Sequence, residues 1–218
     1  MKIIGIGLNK TGTKTLRCYL QQWGFQHRTF DLDAFNLYRA GRIEELIELM
    51  KQYDSFEDWP WSLMFREIDA HFPEARFVLT LRRSPEIWYR SLCKMAVRMG
   101  PLDKFEEHIY GYAMPQGHKS EHLQYYQAHN QAVEEHFRER PSKLLAICWE
   151  TGDQPQKLAD FLDLNVAETA PQHINKSQTV YSGDNLYIAH ANRILFQSWW
   201  RLNRRARGII RRIFRMML

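Results

Sequence analysis

Apolar positions alternate along the chain between short continuous runs and stripes at helical spacing. Residues 2–8 (KIIGIGL) form a compact apolar run that ends in a Gly- and Thr-rich turn. Over Thr13–Gly24, Leu16, Leu20 and Trp23 recur on one helical face. Run, turn and stripe predict strand, loop and helix, the opening unit of an α/β fold. Gln26–Phe30 reads as a second strand, and Asp33–Tyr53 as one or two helices with Ile43, Leu46, Ile47 and Met50 on one face. Ser55–Glu57 reads as a short strand, and Trp61–Phe72 as an amphipathic helix. Arg76–Leu81 (RFVLTL) is the clearest buried strand. Ser84-Pro85-Glu86 behind it is a good helix start, with serine as N-cap, proline at the first helical position and an acid in the first turn. A long helix over His118–Arg140, a strand over Lys143–Trp149, a helix over Gln154–Leu164, a polar loop over Pro171–Gly183 and a final helical stretch over Asn185–Leu218 complete the pattern. Strands alternating with helices predict a parallel sheet with helices on both faces, which takes its ligands at the carboxyl ends of the strands.

Composition narrows the class. The chain has 218 residues, 44% of them apolar, enough for one globular domain with a small appendage. No run approaches a membrane span, and the N-terminus lacks the apolar region and cleavage site of a secretory signal. The three scattered cysteines argue against a disulfide framework or a Cys-based zinc site and favour a reducing, cytoplasmic compartment. The net charge of +5 is concentrated at one end. Eight of the 30 basic residues lie between Arg193 and Leu218, where there is no acid, so residues 1–192 carry 22 basic against 25 acidic side chains. The division expected is a domain over 1–184 and a basic amphipathic tail over 185–218. The tail interleaves arginines with Trp199, Trp200, Ile209, Ile210 and Phe214. It suits peripheral contact with an anionic membrane surface, docking on the core, or a dimer contact. No motif supports nucleic-acid binding.

The turn Gly7-Leu8-Asn9-Lys10-Thr11-Gly12-Thr13-Lys14-Thr15 carries the first chemistry. Glycines allow a tight turn whose N–H groups point inward, the helix start adds partial positive charge, and threonine hydroxyls add donors. Gly7 and Gly12 have Walker A spacing, but Thr13 stands at the lysine position and the lysines are at Lys10 and Lys14. Classical nucleotide hydrolysis therefore loses support, and no acidic pair is expected where such enzymes hold their metal. The second constellation is Arg83 with Ser91 eight residues later and Pro85 between them. An arginine fork suits a phosphate dianion. Arg82 could instead take the phosphate role.

The K-T-G-T-x-T-L pattern resembles the 5′-phosphosulfate loop of sulfotransferases that use 3′-phosphoadenylyl sulfate, and Arg83 with Ser91 resembles that family's 3′-phosphate motif. FxDWPW (56–61), ARFVLTLRRSPEIWYRSL (75–92), YYQAHNQAV (125–133) and PQHINKS (171–177) resemble a bacterial-type branch of it. The likeness covers roughly residues 1–180. It implies a three-layer P-loop-like α/β fold and transfer of a sulfuryl group to a hydroxyl or amine by metal-free in-line displacement. It also implies that Lys10 contacts the sulfuryl group and bridging oxygen, and that Thr11, Gly12, Thr13, Lys14 and Thr15 line the 5′-phosphate. Lys176, in a late basic loop, is a further candidate for the nucleotide.

Asp58, in Asp58-Trp59-Pro60, stands where cytosolic members carry a catalytic histidine before x-Pro. It is the candidate base, and equally a candidate N-cap for the next helix. His27, Asp31 and Asp33 are reserves; His129 reads as part of a packed helix face, and Trp59, Trp61 and Trp88 as core before ring-stacking partners. Loops 101–120 and 165–184 are expected to shape the acceptor pocket without naming the acceptor. The alternatives are an ATP- and magnesium-dependent small-molecule kinase and a non-catalytic, membrane-associated nucleotide- or glycan-binding protein.

Overall fold

A computed structural model of the chain describes residues 1–99, 105–166, 191 and 194. Lys176, the 171–177 segment and, apart from Ala191 and Ile194, the cationic tail lie outside the described residues. Among those described, residues 1–88 with 124–166 make one compact unit and residues 89–123 belong to a second.

The first unit is built on five parallel strands in the order β2-β3-β1-β4-β5. They are β1 (Ile3–Gly5), β2 (His27–Arg28), β3 (Ser55–Phe56), β4 (Arg76–Thr80) and β5 (Leu144–Ile147). β1 is the central strand, pairing Ile4 with Phe56 on one side and with Phe77 on the other. Successive side chains of a strand point to opposite faces, and both faces are covered here. Ile3, Val78 and Ile147 pack against Leu16, Tyr19 and Leu20 of α1 (Thr13–Gln22) and Leu158 of α8 (Pro155–Phe161). Ile4, Phe77 and Leu79 face the other way. There they meet α2 (Leu32–Arg39), α3 (Ile43–Met50), α4 (Phe65–His71) and α7 (Lys119–Phe137), through residues such as Ala34, Leu46, Ile68 and Phe137. Burying each such side chain contributes about 1.5–3 kcal/mol, which is why the run pattern dominates the fold.

The expected α/β class with a parallel sheet is what the structure has, with shorter elements. The second strand is only His27–Arg28, and the stretch from Asp33 to Tyr53 is two helices. The predicted helix over Trp61–Phe72 begins as a 3-10 turn, Trp61–Leu63, before α4. Trp61 is fully buried and donates its indole N–H to the Thr29 carbonyl at 3.0 Å, which ties the first turn to the sheet side. Ser84 caps α5 (Pro85–Met99) as its sequence predicts, with its Oγ accepting from the Ile87 N–H at 3.3 Å. Asp31 caps α2, accepting from the N–H groups of Asp33 and Ala34 at 2.9 and 3.0 Å.

In the second unit, α6 (Phe105–Tyr110) and the start of α7 gather aromatic rings around His122. His122 gives its Nδ1–H to the His118 carbonyl at 2.7 Å, and burial lowers its proton affinity. Gln116 donates to the Cys93 carbonyl at 3.1 Å, and Tyr89 to the Pro115 carbonyl at 2.9 Å.

The turn after β1 runs hard against β4. A Cβ at Gly7 would stand 2.1 Å from Thr80 Oγ1 and 2.4 Å from the Thr80 carbonyl oxygen. No rotamer relieves a clash with backbone, so Gly7→Ala is expected to destabilise the fold by about 1–3 kcal/mol. Urea denaturation of the two proteins checks this; an unchanged midpoint refutes it.

Candidate active site

The carboxyl ends of β1, β3, β4 and β5 bring the predicted turns to one edge of the sheet. The loop Gly7–Gly12 closes on itself. Thr11 donates its hydroxyl to the Leu8 carbonyl at 2.6 Å, and its Oγ1 lies 2.6 Å from Thr80 Oγ1. Thr11 has one hydroxyl hydrogen, so Thr80 is the donor of the second bond. Trp88 on α5 gives its indole N–H to the Asn9 carbonyl at 2.9 Å. Its ring stacks on Tyr126 of α7 with centroids 4.7 Å apart. His129 donates Nε2–H to the Ile6 carbonyl at 2.7 Å, and burial holds its pKa down, so it is a neutral brace.

Among the described residues, none of these braces reaches the amides at the start of α1. Gly12 is the N-cap at φ 101, a left-handed conformation that favours glycine, and no side chain caps the helix. The amides of Thr15 and Leu16 bond back to the Gly12 carbonyl. Those of Gly12, Thr13 and Lys14 have no hydrogen-bond partner among the described residues. Three free N–H groups on a helix end form an anion cradle. Lys10 sits in the loop with φ 68, and Lys14 is exposed on the first turn. The threonines divide their work: Thr11 holds the loop, Thr13 turns its hydroxyl to Glu57, and Thr15 is buried. The hydroxyl donors expected at Thr11 and Thr13 are thus engaged inside the protein, and the cradle is mainly backbone.

β3 lies beside β1 and is followed by Glu57-Asp58. Two adjacent acids therefore stand next to the loop strand. Their adjacency is plain in the chain, but their place beside β1 is not, because strand order is set by tertiary pairing. Among the described residues no three His, Cys, Asp or Glu side chains cluster as a metal-ligand set. The two carboxyls differ in state. Burial opposes the charge of Glu57, but His27, Thr29 and Thr13 outweigh it and hold the group below the usual carboxylate range. Asp58 is half-buried, and burial together with the Glu57 charge pushes it up to about 7, against the pull of the Trp59 N–H, Lys14 and Arg17. Asp58 does not cap the following helix with its side chain. Its Oδ1 accepts from the Trp59 N–H at 2.9 Å, and its carbonyl accepts from the Ser62 N–H at 3.0 Å.

The reserve residues are otherwise occupied. Asp31 caps α2 and pairs with Arg28, His27 Nδ1 lies 2.8 Å from Ser55 Oγ, and Asp33 is exposed on α2. Trp59, Trp61 and Trp88 are buried to 4% exposure or less, so none offers a ring face to a ligand.

After β4 the two arginines separate. Arg82 pairs with Glu150 at 2.9 Å and gives its amide to Tyr126 Oη at 3.0 Å. Arg83 is exposed; its amide donates to Glu150 Oε2 at 3.1 Å, and its guanidinium makes no ion pair among the described residues. Ser91 is half-buried on α5, in the part of that helix belonging to the second unit. Sequence reading missed Trp149, which follows β5. Its ring would stand 2.5 Å from a Cβ at Gly12, and its indole nitrogen is buried without a hydrogen-bond partner among the described residues. A tryptophan at the carboxyl end of an apolar strand was the available signal.

Comparison with known proteins gives the family. Residues 2–180 match the sulfotransferase domain family. Ava biosynthesis cluster protein M of Aspergillus versicolor is 28% identical over 109 residues, an alignment covering 42% of this chain. The chain thus spans 42% of the length of that relative. The family match takes in the loop after β1, the Glu57-Asp58 pair and the turn after β4, and the chain belongs to the sulfotransferase domain family.

Proposed function

We propose that the protein transfers the sulfuryl group of 3′-phosphoadenylyl sulfate to a hydroxyl or amine acceptor by in-line displacement, without a metal. The observation that carries this reading is the start of α1, where the amides of Gly12, Thr13 and Lys14 have no partner among the described residues, together with Asp58, which feels Lys14 and Arg17 of that helix and holds its proton to about pH 7. The amides of Gly12, Thr13 and Lys14 take the 5′-phosphate, with Thr11 and Thr15 shaping the turn around it. Lys10 neutralises the bridging oxygen as its bond to sulfur breaks. The acceptor oxygen or nitrogen attacks sulfur from the opposite side, and its proton passes to Asp58. Arg83 takes the 3′-phosphate, and the Arg83–Ser91 spacing supports Ser91 as its second contact. Lys176 is proposed as a nucleotide contact on its sequence position alone. A relative named for a biosynthesis cluster supports a small-molecule acceptor.

Calorimetric titration with 3′-phosphoadenosine 5′-phosphate, without added metal and with ATP as comparison, tests the donor. Wild type is expected to bind it more tightly than ATP, and Arg83→Ala to weaken binding about ten- to hundredfold. Magnesium-dependent preference for ATP would overturn the reading in favour of a kinase. Tight binding without transfer to any member of a broad acceptor panel would favour a binding protein.

A further inference from the structure

Glu57 is 1% exposed, yet the transfer chemistry above gives it no task. Groups from two other elements converge on it. Thr29, just past β2, donates its hydroxyl to Glu57 Oε1. His27 Nε2 on β2 and the Arg17 guanidinium on α1 each stand 3.8 Å from that oxygen. Thr13, the first residue of α1, adds its hydroxyl. Removing a carboxylate from water costs several kcal/mol, recovered only with good partners. The next residue is in an uncommon backbone state: Asp58 has φ 70, the left-handed region where a non-glycine residue costs about 1–3 kcal/mol. Such strain persists only where the surroundings over-determine it. The clamp on Glu57 precedes the strained residue, and the Ser62 and Trp59 amides hold it from the other side.

We propose that Glu57 is a positioning residue for Asp58: clamped to α1 and β2, it fixes Asp58 in its left-handed conformation beside the open end of α1 and supplies the fixed negative charge that Asp58 faces. This rests on the reading of Asp58 as the base. The charged groups acting on Asp58 are Glu57 from β3 and Lys14 and Arg17 from α1; His27, from β2, acts on Glu57. Burial, and next the charge of Glu57, draw Asp58 toward its protonated form; the Trp59 N–H, Lys14 and Arg17 draw it back. The balance leaves a carboxyl able to accept a proton from an acceptor alcohol and release it to water.

The test is carboxyl ¹³C NMR of the full chain, labelled at aspartate and glutamate, with the Asp58 signal identified by its loss in Asp58→Asn. In wild type, Asp58 is expected to titrate near pH 7, while Glu57, assigned through its own amide, stays ionised throughout that titration. Glu57→Gln is expected to move the Asp58 midpoint down by about one pH unit, and Arg17→Gln to move it up. The affinity for 3′-phosphoadenosine 5′-phosphate is expected to change less than about threefold in Glu57→Gln. An unmoved Asp58 midpoint in a folded Glu57→Gln protein would reduce Glu57 to a structural role. If that variant does not fold, wild type decides: Glu57 titrating together with Asp58 overturns the proposal. None of these signals depends on turnover. Failure to bind the nucleotide would count against the sulfotransferase mechanism, and a misplaced titration against the role of Glu57.

Discussion

Replacing Asp58 by asparagine is expected to lower the turnover number about 10²–10⁴-fold while leaving the affinity for 3′-phosphoadenosine 5′-phosphate near its wild-type value. That is the range for losing a positioned general base. The amide keeps the shape and can still accept from the Trp59 N–H, so geometry is preserved and only the proton acceptor is lost. In wild type the rate is expected to rise with pH and level off above an inflection near 7, because the working form is the carboxylate and Asp58 holds its proton to about that value. Turnover measured from pH 5.5 to 8.5, on whichever member of an alcohol and amine panel wild type accepts, checks both statements. A rate loss below about threefold would remove Asp58 as the base. Stability runs the opposite way. An unfolded aspartate releases its proton near pH 4. Between about 4 and about 7 the folded chain binds more protons at Asp58 than the unfolded chain, so this residue's contribution to stability falls as pH rises through that window. Asp58→Asn is therefore expected to melt higher than wild type at pH 8, with activity lost and stability gained at one position.

The second large effect is expected at Lys10. Lys10→Met should reduce the turnover number about 10²–10³-fold, the scale for removing one donor aimed at developing charge. Affinity for the sulfate-free product should fall by less than about tenfold, since the backbone cradle remains. The backbone sharpens this expectation. Lys10 adopts φ 68, where glycine would fit at lower cost, so the loop tolerates a strained lysine beside an anion cradle. Methionine meets the same backbone demand as lysine with similar reach and no charge, which separates the cation from the conformation. Equal losses in turnover and product affinity would show that Lys10 serves binding alone. Unchanged turnover would remove it from the chemistry.

Much of the site could be read from short-range pattern. The Gly7–Thr15 turn, the Ser84 cap and the Arg83 turn are local, because turn chemistry and capping act over a few residues. The reading of Trp59, Trp61 and Trp88 as core rather than ring-stacking partners follows from their volume. Features that needed partners from distant segments could not be read. Glu57 looks like any acid near a strand end until His27, Thr29, Arg17 and Thr13 close on it. Trp149 gains its place against Gly12 only when β5 pairs with β4. The engaged hydroxyl of Thr11 depends on Thr80, which is 69 residues away in the chain.

The sequence alone made legible the α/β class, a glycine- and threonine-rich turn after β1, a cationic turn after β4 and Asp58 as the candidate base. The first three rest on periodicity or on residue types within one turn of each other, and the last on the resemblance to the family. Only the tertiary structure decided that β3 lies beside β1, that Arg82 is held by Glu150 while Arg83 stays exposed, and that Glu57 and Asp58 carry opposite protonation tendencies. The physical reason is the same in each case. Strand order, desolvation and the field at a carboxyl are sums over neighbours in space, and those neighbours come from segments far apart in the chain.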